Sequence, residues 1–449
     1  MAKAPTVYAL SSGHGRAAVA VIRVSGPGAA LALDRLTPPR PQPRAAALRT
    51  VRDPAGEVLD QALVLWFPGP RSETGEDMAE LHVHGGRAVV AGVLAALGGI
   101  EGFRLAERGE FTRRAFENGK LDLTAAEAVA DLVEADTAAQ RRQALRQAGG
   151  ALARLYDRWR TDLIRTQALT ESAIDFADEA DVGARAAEGA RELAAGLLPE
   201  LRAHLDDGRR GEILREGFRV AIAGPPNAGK SSLLNALARR EAAIVSEEAG
   251  TTRDIIEVVL DLGGVPVVLS DTAGIRAAEG KVEREGIRRA VAHARAADLV
   301  VWLTDAAAAV PQPEPPPPDL AADPGRLLQV ANKIDLVGAA GLERGPPHGA
   351  VAISALTGAG LPALAEELAR RAAGGTGETE APVITQARHR QNLEACAEAL
   401  EAYLAGAPGE LELRAEDLRR AAAALGRITG RVDVEDVLGE IFSRFCIGK

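Results

Sequence analysis

The chain has 449 residues, of which 47% are apolar and 26% are charged, and its formal net charge is −10 at pH 7. A chain of this length fills about two to three domains, and its negative charge argues against a surface that coats nucleic acid throughout. Its two cysteines, Cys396 and Cys446, exclude a disulfide framework and suit a reducing compartment. The sequence has neither a signal-peptide pattern nor an apolar run of the ~20 residues that span a membrane, which predicts a cytoplasmic protein without a membrane segment.

The order of patterns along the chain predicts α/β plus α organisation. Residues 1–119 read as an N-terminal α+β domain, with strands predicted at 18–24 and 62–67 and a helix at 87–97. Residues 120–212 carry apolar side chains at spacings of three and four, which predicts packed amphipathic helices. A compact α/β unit follows at 217–375, and helices resume over 380–449.

Helices on both sides of this α/β unit indicate that the unit is inserted into a discontinuous helical domain. Two separate helical domains are the alternative. The glycine-rich stretch 374–377 between the unit and the last helices is predicted to be a linker rather than the G-x-x-G loop of an RNA-binding KH module.

A phosphate-binding loop opens the α/β unit. The segment GPPNAGKS, 224–231, fits G-x-x-x-x-G-K-S/T, whose backbone N–H groups surround nucleotide phosphates while the lysine reaches their outer oxygens. The segment 218–224 predicts a buried strand leading into the loop, and 231–240 predicts the start of a helix after it, which is the setting that this loop requires. The chain has only six lysines, so a chance match is improbable.

Three further motifs follow in the order of a GTPase. They are GTTRD (250–254), DTAG (271–274) after an apolar run at 265–269, and NKID (332–335) after a run at 327–331, and SAL (354–356) ends the last strand. Ser231 and Thr252 are predicted Mg²⁺ ligands, and Gly274 lets its N–H approach the γ-phosphate. Asp335 can accept two hydrogen bonds from guanine that adenine does not offer, so the predicted nucleotide is GTP.

The hydrolytic step of this GTPase is less ordinary. The glutamine that orients water in Ras-like proteins is replaced by Ile275, so another group within 276–284 must act. Asn227 could hold a monovalent cation beside the phosphates, or it could only tighten the loop.

The chain resembles the MnmE/TrmE family of tRNA-modifying GTPases over nearly its whole length. The GTPase motifs are shared with many proteins. The specific segments are TGEDMAELHVHGG (74–86), GEFTRRAFENGKLDLTAAEAVADLVEA (109–135) and FCIGK (445–449). The resemblance implies a tetrahydrofolate-binding N-terminal domain that forms homodimers, a discontinuous helical domain and an inserted G domain. It also implies an FAD-containing MnmG/GidA-type partner, in a heterotetramer or larger assembly, that helps to add an aminomethyl or carboxymethylaminomethyl group to C5 of the wobble uridine of certain tRNAs.

The resemblance also assigns site residues. The folate ligand, a 5-formyl- or methylene-tetrahydrofolate, is expected at Arg23, Glu80, Lys120 and Lys449. Arg23 lies in an otherwise apolar strand, where a ligand carboxylate or a protein carboxylate could satisfy its charge. His82 and His84 alternate on a predicted strand and are interpreted as structural rather than metal-binding. Cys446 is either a nucleophile toward the uridine or a small buried residue near the folate pocket.

In the G domain the resemblance implies potassium activation. The K⁺ ligands fall on Asn227, Ser246, Glu248 and Thr251, and the water-orienting acid on Glu283, acting when two G domains meet; Lys230 and Asn227 complete the expected catalytic set. The predicted GTP-binding residues are Asn227, Ala228, Gly229, Lys230, Ser231, Ser232, Ser246, Glu247, Glu248, Ala249, Gly250, Thr251, Thr252, Asp271, Thr272, Ala273, Gly274, Asn332, Lys333, Asp335, Ser354, Ala355 and Leu356. Two rival functions remain at this point, a GTP-switched ribosome-assembly factor and a folate-binding regulatory GTPase without RNA chemistry.

Overall fold

A computed structural model of the chain describes residues 5–13, 15–176, 180–207, 209–240, 243–244, 257–271, 296–307, 315–337, 350–374, 382–407, 409–432, 435–443 and 445–449. These residues form two compact units. The first consists of Met1–Val133, Arg146–Leu197 and Ala395–Lys449, and the second of Glu134–Leu145 and Leu198–Glu394. Within the described part of the chain, no helix combines the length and the apolar character needed to cross a membrane.

A six-stranded sheet begins the first unit, with strand order β3-β4-β5-β2-β1-β6. All its neighbouring strands are antiparallel except β1 and β6, which are parallel. Its strands are β1 (Thr6–Leu10), β2 (Ala17–Ser25), β3 (Ala47–Arg52), β4 (Val58–Phe67), β5 (Met78–Gly85) and β6 (Phe103–Leu105).

One face of this sheet carries the core of the N-terminal region. Ile22 and Val24 of β2 are fully buried, and they pack with side chains from α1 (Ala29–Leu36) and α2 (Arg87–Gly98). Because successive side chains of a strand point to opposite faces, Arg23 and Ser25 lie on the other face. There Arg23 is aligned with Ala9 of β1 and with Glu80 of β5.

This second face is covered at one end only. Phe111 of α3 (Glu110–Glu117) is buried against Val7 and Ala9. At the other end, Leu48, Leu63 and Val19 are exposed, and Leu48 and Leu63 are paired across β3 and β4. Arg23 therefore lies where the covered half of the face meets the open half.

The helices that complete the first unit pack around large buried side chains. Trp159 and Tyr156 of α6 (Ala151–Asp175) are buried, and α6 packs along α13 (Leu411–Thr429). The Tyr403 and Thr170 hydroxyls lie 3.1 Å apart and hydrogen-bond inside this packing. The remaining helices with residues in this unit are α4 (Leu123–Val133), α5 (Ala138–Ala148), α7 (Ala180–Leu205), α12 (Ala387–Ala405) and α14 (Glu435–Ser443).

The second unit contains a seven-stranded sheet of order β13-β12-β11-β7-β10-β9-β8. Strands β13, β12, β11, β7 and β10 are parallel, whereas β9 and β8 are antiparallel to their neighbours. The strands are β7 (Phe218–Ala223), β8 (Ala243–Ile244), β9 (Glu257–Leu262), β10 (Val265–Asp271), β11 (Leu299–Asp305), β12 (Leu327–Asn332) and β13 (Val351–Ala352). The first strand of this unit, β7, lies in the middle of the sheet among five parallel strands, and β9 and β8 form an antiparallel edge. This arrangement is the Ras-like strand order.

Helices cover this sheet and connect it to the rest of the chain. Leu233 of α9 and Leu364 of α11 are buried in the core of the sheet. The helices are α8 (Arg210–Glu216), α9 (Lys230–Arg240), α10 (Pro318–Ala321) and α11 (Leu361–Gly374), with short 3-10 turns at Pro324–Arg326 and Ile334–Leu336.

The predicted strands and helices around the nucleotide motifs agree with these elements to within two residues at each end. The N-terminal strand predicted at 62–67 begins four residues earlier, at Val58. The division of the helical residues into one discontinuous domain, 120–212 and 380–449, stays a prediction. The linker proposed at 374–377 falls largely outside the described residues.

Candidate functional site

The P-loop connects β7 to α9 and needs glycine at two places. Gly224 has φ of +148°, and a Cβ there would lie 2.1 Å from the Leu303 carbonyl oxygen. Gly229 has φ of +95°, and a Cβ there would lie 2.4 Å from the Asn332 amide nitrogen. Since no side chain can occupy these positions, the backbone can close into a concave cradle of N–H groups, which fits a phosphate.

Lys230 and Ser231 stand at the start of α9, facing this cradle. Lys230 Nζ donates to the carbonyl oxygens of Gly224 and Pro225, each at 2.9 Å. Burial lowers the pKa of the Lys230 ammonium, while the Asp271 carboxylate opposes that shift. Ser231 Oγ donates to Asp271 Oδ2 at 2.6 Å, which brings two oxygen ligands suited to Mg²⁺ together at the ends of neighbouring elements.

The buried side chain of Asn332 joins three of the sequence motifs. Its Nδ2 donates to the Ala228 carbonyl oxygen at 2.8 Å, and its Oδ1 accepts from the Ala355 N–H at 3.0 Å. The P-loop, the end of β12 and the loop after β13 therefore hold one another in place. Sequence spacing predicted Asn332 as a nucleotide ligand, but not this linking role.

The residues predicted to recognise guanine lie beside it at the same edge of the sheet. Asp335 is exposed, and the Ser354 hydroxyl donates to its Oδ1. Lys333 has φ of +66°, and its Nζ contacts Asp305 Oδ2 at 2.7 Å. The exposed Leu356 follows in the same loop. The carboxylate of Asp335 is thus oriented and open to solvent, as a base-reading acceptor has to be.

Asn227 stands at the exposed tip of the P-loop in a left-handed conformation, with φ of +61°. Its amide oxygen is free of the core and could serve a cation. The other predicted K⁺ ligands, Ser246, Glu248 and Thr251, lie outside the described residues, as do Glu247, Ala249, Gly250, Thr252, Thr272, Ala273, Gly274 and Glu283.

A second polar site lies on the sheet of the first unit. Arg23 Nε and Nη2 donate to Glu80 Oε1 at 3.1 and 3.0 Å, and His82 Nε2 lies 3.2 Å from Glu80 Oε2. Protein carboxylates therefore satisfy Arg23, which was the second of the two alternatives predicted for it. His84 is paired with Asp60 at 2.8 Å, so both histidines contact carboxylates. No group of three or more metal-binding side chains occurs among the described residues.

Lys120, three residues after the end of α3, contacts the loop between β4 and β5. Its Nζ donates to the Pro70 carbonyl oxygen at 3.1 Å, in the loop between β4 and β5. The Asn118 amide donates to the Thr74 carbonyl oxygen of that loop at 2.8 Å.

A buried arginine, Arg114, contacts the loop between β4 and β5. Arg114 Nη1 donates to Glu76 Oε2 and Nη2 to Glu110 Oε1, both at 2.9 Å. Sequence reasoning missed Arg114, because its partner Glu76 lies 38 residues away. An arginine inside the buried face of α3 was the available signal.

The C-terminal segment lies along the end of β1. Gly448 has φ of +99°, and a Cβ there would lie 2.2 Å from the Leu10 carbonyl oxygen. This contact brings half-buried Lys449 to the strand next to β2, which carries Arg23. Cys446 is exposed, so the alternative of a buried cysteine is wrong; exposure leaves the nucleophile hypothesis as a prediction.

Sheet order, the glycine-lined P-loop and the Asn332–Asp335 strand end together define a Ras-like P-loop GTPase. Models of two families match the chain: "GTP-binding protein TrmE N-terminus" matches residues 6–120, and "MnmE helical domain" matches residues 123–446, a span that includes the GTPase region. The chain belongs to the MnmE family of tRNA modification GTPases.

Full-length relatives have the same description. A protein of Parvibaculum lavamentivorans called tRNA modification GTPase MnmE is 55% identical over 99% of this chain and 100% of its own length. The protein of the same name from Beijerinckia indica is 53% identical over 99% of this chain and 96% of its own length. Among solved structures, the G domain of the T. maritima FeoB iron transporter covers 34% of this chain and 98% of its own at 26% identity, with a TM-score of 0.25. At that TM-score the match adds nothing to the assignment.

Proposed function

We propose that this chain is a potassium-activated GTPase that acts with an FAD-containing MnmG/GidA-type partner on tRNA. The pair adds an aminomethyl or carboxymethylaminomethyl group to C5 of the wobble uridine, using a one-carbon unit from tetrahydrofolate. The observation that carries the proposal is the co-occurrence, in one chain matched end to end by tRNA modification GTPases, of a P-loop site and a separate Arg23–Glu80 site.

The nucleotide site supports GTP binding through the chain's own groups. Lys230 is already held at the mouth of the cradle, so phosphate oxygens can replace the Gly224 and Pro225 carbonyls as its acceptors. Asp335 accepts the guanine N–H groups while the Ser354 hydroxyl fixes its orientation. Ser231, with Thr252, would hold Mg²⁺, which supplies charge neutralisation at the β- and γ-phosphates.

The hydrolytic step is assigned to residues around Asn227. Ile275 cannot orient water, and Glu283 is proposed to do so when two G domains meet. Asn227, Ser246, Glu248 and Thr251 would hold K⁺, which supplies the positive charge that an arginine finger brings to other GTPases. The exposed, left-handed position of Asn227 supports a ligand role, because a residue that only tightened the loop would direct its side chain inward.

The folate site is assigned to Arg23, Glu80, Lys120 and Lys449. The first two are in direct contact, Lys120 binds the adjacent loop, and Lys449 follows a glycine packed against β1. A bound tetrahydrofolate supplies the one-carbon unit, and Cys446 is the proposed nucleophile toward the uridine. The open half of the same sheet face, with exposed Leu48 and Leu63, supports homodimerisation through the N-terminal domain.

GTP turnover in KCl and in NaCl at equal ionic strength tests the hydrolytic part of this proposal. We expect turnover at least about tenfold faster in KCl for the wild type, since a charge placed at the transition state contributes on this scale. Asn227→Ala and Glu283→Ala should both lose the potassium effect. Equal rates in the two salts would remove the K⁺ assignment and favour an ordinary switch GTPase.

A further inference from the structure

The guanidinium of Arg23 is shared between two carboxylates. The Nε and Nη2 groups of Arg23 donate to Glu80 Oε1, and His82 Nε2 contacts Glu80 Oε2. The remaining nitrogen, Nη1, lies 3.1 Å from Glu73 Oε1 and 3.0 Å from Glu73 Oε2. Arg23 and Glu80 are 16% and 17% exposed at their side chains, whereas Glu73 is 50% exposed. Glu73 therefore lies on the solvent side of the pair.

The backbone that carries Glu73 is firmly held. Thr74 is buried, its hydroxyl lies 2.7 Å from Ser25 Oγ, and its carbonyl oxygen accepts from Asn118. Ser72 is buried on the other side of Glu73 and donates to the Glu76 carbonyl oxygen. Because the residues before and after Glu73 are fixed, its side chain can leave Arg23 by rotation alone, without opening of the loop.

We infer that Glu73 is an internal competitor that occupies, on Arg23, the position of a ligand carboxylate. This inference rests on the proposed folate site. Tetrahydrofolate carries carboxylates in its glutamate tail, and a carboxylate that binds Arg23 at Nη1 competes there with Glu73. A half-exposed ion pair contributes little, so displacement weakens binding by only about two- to fivefold. Glu73 thus lowers folate affinity and makes release of the spent cofactor easier, while Glu80 keeps Arg23 in place.

Titration calorimetry with 5-formyl-tetrahydrofolate tests this role in the full-length protein. Glu73→Gln removes the competing charge with little change of shape, and the dissociation constant should fall about two- to fivefold. Glu101→Gln, at an exposed position of the same domain, is the matched control for net charge and should leave binding unchanged. Arg23→Gln should weaken binding more than about tenfold, since a charge-assisted hydrogen bond is lost. If Arg23→Gln lowers the melting temperature, Arg23→Lys is used in its place to test the arginine.

The ligand itself provides a further arm of the experiment. With both tail carboxylates converted to amides, wild type and Glu73→Gln should bind equally. A gain that persists with the diamide would overturn the inference.

The failures of the two proposals are distinguishable. If both Arg23 variants bind folate as the wild type does, the proposed folate site is wrong. If they lose binding while Glu73→Gln binds no more tightly than the wild type, the site stands and the role of Glu73 is wrong.

Discussion

At the scale of single residues, the nucleotide site depends on side chains that hold one another. Asn332 bonds the P-loop carbonyl of Ala228 and the N–H of Ala355, and it fills the space that a side chain at Gly229 would need. The Ser354 hydroxyl orients Asp335 in the same way. Nucleotide recognition therefore depends on contacts among the motifs as well as on each motif's own ligands.

Asp335→Asn should change the base that the protein accepts. The amide offers one donor where the carboxylate offers only acceptors, so it mismatches the guanine amino group and matches the carbonyl of xanthine. We expect kcat/KM for GTP to fall about 100-fold, or about 2–3 kcal/mol, and XTP to become the better substrate. Parallel turnover assays with GTP and XTP measure this. Glu366→Gln, an exposed change on α11, should alter neither. Unchanged GTP preference would show that Asp335 does not read the base.

The nucleotide motifs could be recognised in the sequence because each is contiguous and has one chemical task; the roles of their residues stay predictions. Arg23 was predictable as a charge that needs a partner, but its partner Glu73 was not, since 50 residues separate them. Arg114 escaped prediction for the same reason. A single sequence carries no signal for pairing across such separations, because it depends on strand register and on helix packing.

At the scale of elements, Arg390 joins two segments of the second unit, the residues between α7 and β7 and the residues that begin α12. Arg390 lies on α12 and contacts two carboxylates of the first segment: its Nη2 contacts Asp207 Oδ1 at 2.6 Å and its Nε contacts Glu212 Oε1 at 3.0 Å. It also donates to the Leu205 carbonyl oxygen, at the end of α7. Gly211 lies so close to Ile384 that a Cβ would be 2.3 Å from its carbonyl oxygen. One arginine thus joins the segment between α7 and β7 to the start of α12.

Arg390→Met should destabilise the second unit strongly. Glu212 and Asp207 are 4% and 10% exposed at their side chains, and loss of the arginine removes the Arg390 contact of both carboxylates, while Arg209 still holds Glu212 Oε2. We expect this to cost about 3 kcal/mol. Arg370→Met on α11 is the control, because that arginine is 69% exposed and a solvent-exposed pair such as the one it forms with Glu367 contributes little to stability. Urea unfolding followed by circular dichroism measures both. Equal losses in the two variants would refute the role of Arg390.

Among the elements, β2, β4, β5, β7, β10 and β12 were predicted in whole or in part, whereas others, such as β3 and β11, were not. Strands β7, β10 and β12 are mostly apolar and mostly buried, as strands covered on both faces of a sheet are. Strands β3 and β5 mix charged and apolar residues, since one face of their sheet is partly open. Their pairing depends on the other strands of the sheet.

At the scale of the whole molecule, stability should depend on pH through His204. Burial is the main cause that lowers its pKa to about 4; Asp207 opposes the shift, and Arg390 and His389 add to it. The unfolded chain, with a histidine pKa of about 6.5, binds a proton first as the pH falls. The neutral histidine's contribution is therefore present above pH 6.5 and is lost progressively toward pH 4.

His204→Gln should flatten this dependence. Between pH 7 and pH 4 the wild type should lose about 2 kcal/mol more unfolding free energy than the variant. Urea unfolding at four pH values gives the unfolding free energy of both proteins. The contributions of the carboxyl groups cancel in the difference between the two. If the unfolding free energies of the two proteins change in parallel with pH, His204 does not have the lowered pKa on which this prediction depends.

The central claim is that this GTPase acts in modification of the tRNA wobble uridine. Mass spectrometry of nucleosides at that position, in cells whose own copy is replaced by Lys230→Ala, tests it most directly. The account predicts loss of the aminomethyl-type C5 groups and their return with the wild-type chain. Full modification in the presence of Lys230→Ala, together with accumulation of ribosome precursors, would contradict the account and support an assembly GTPase.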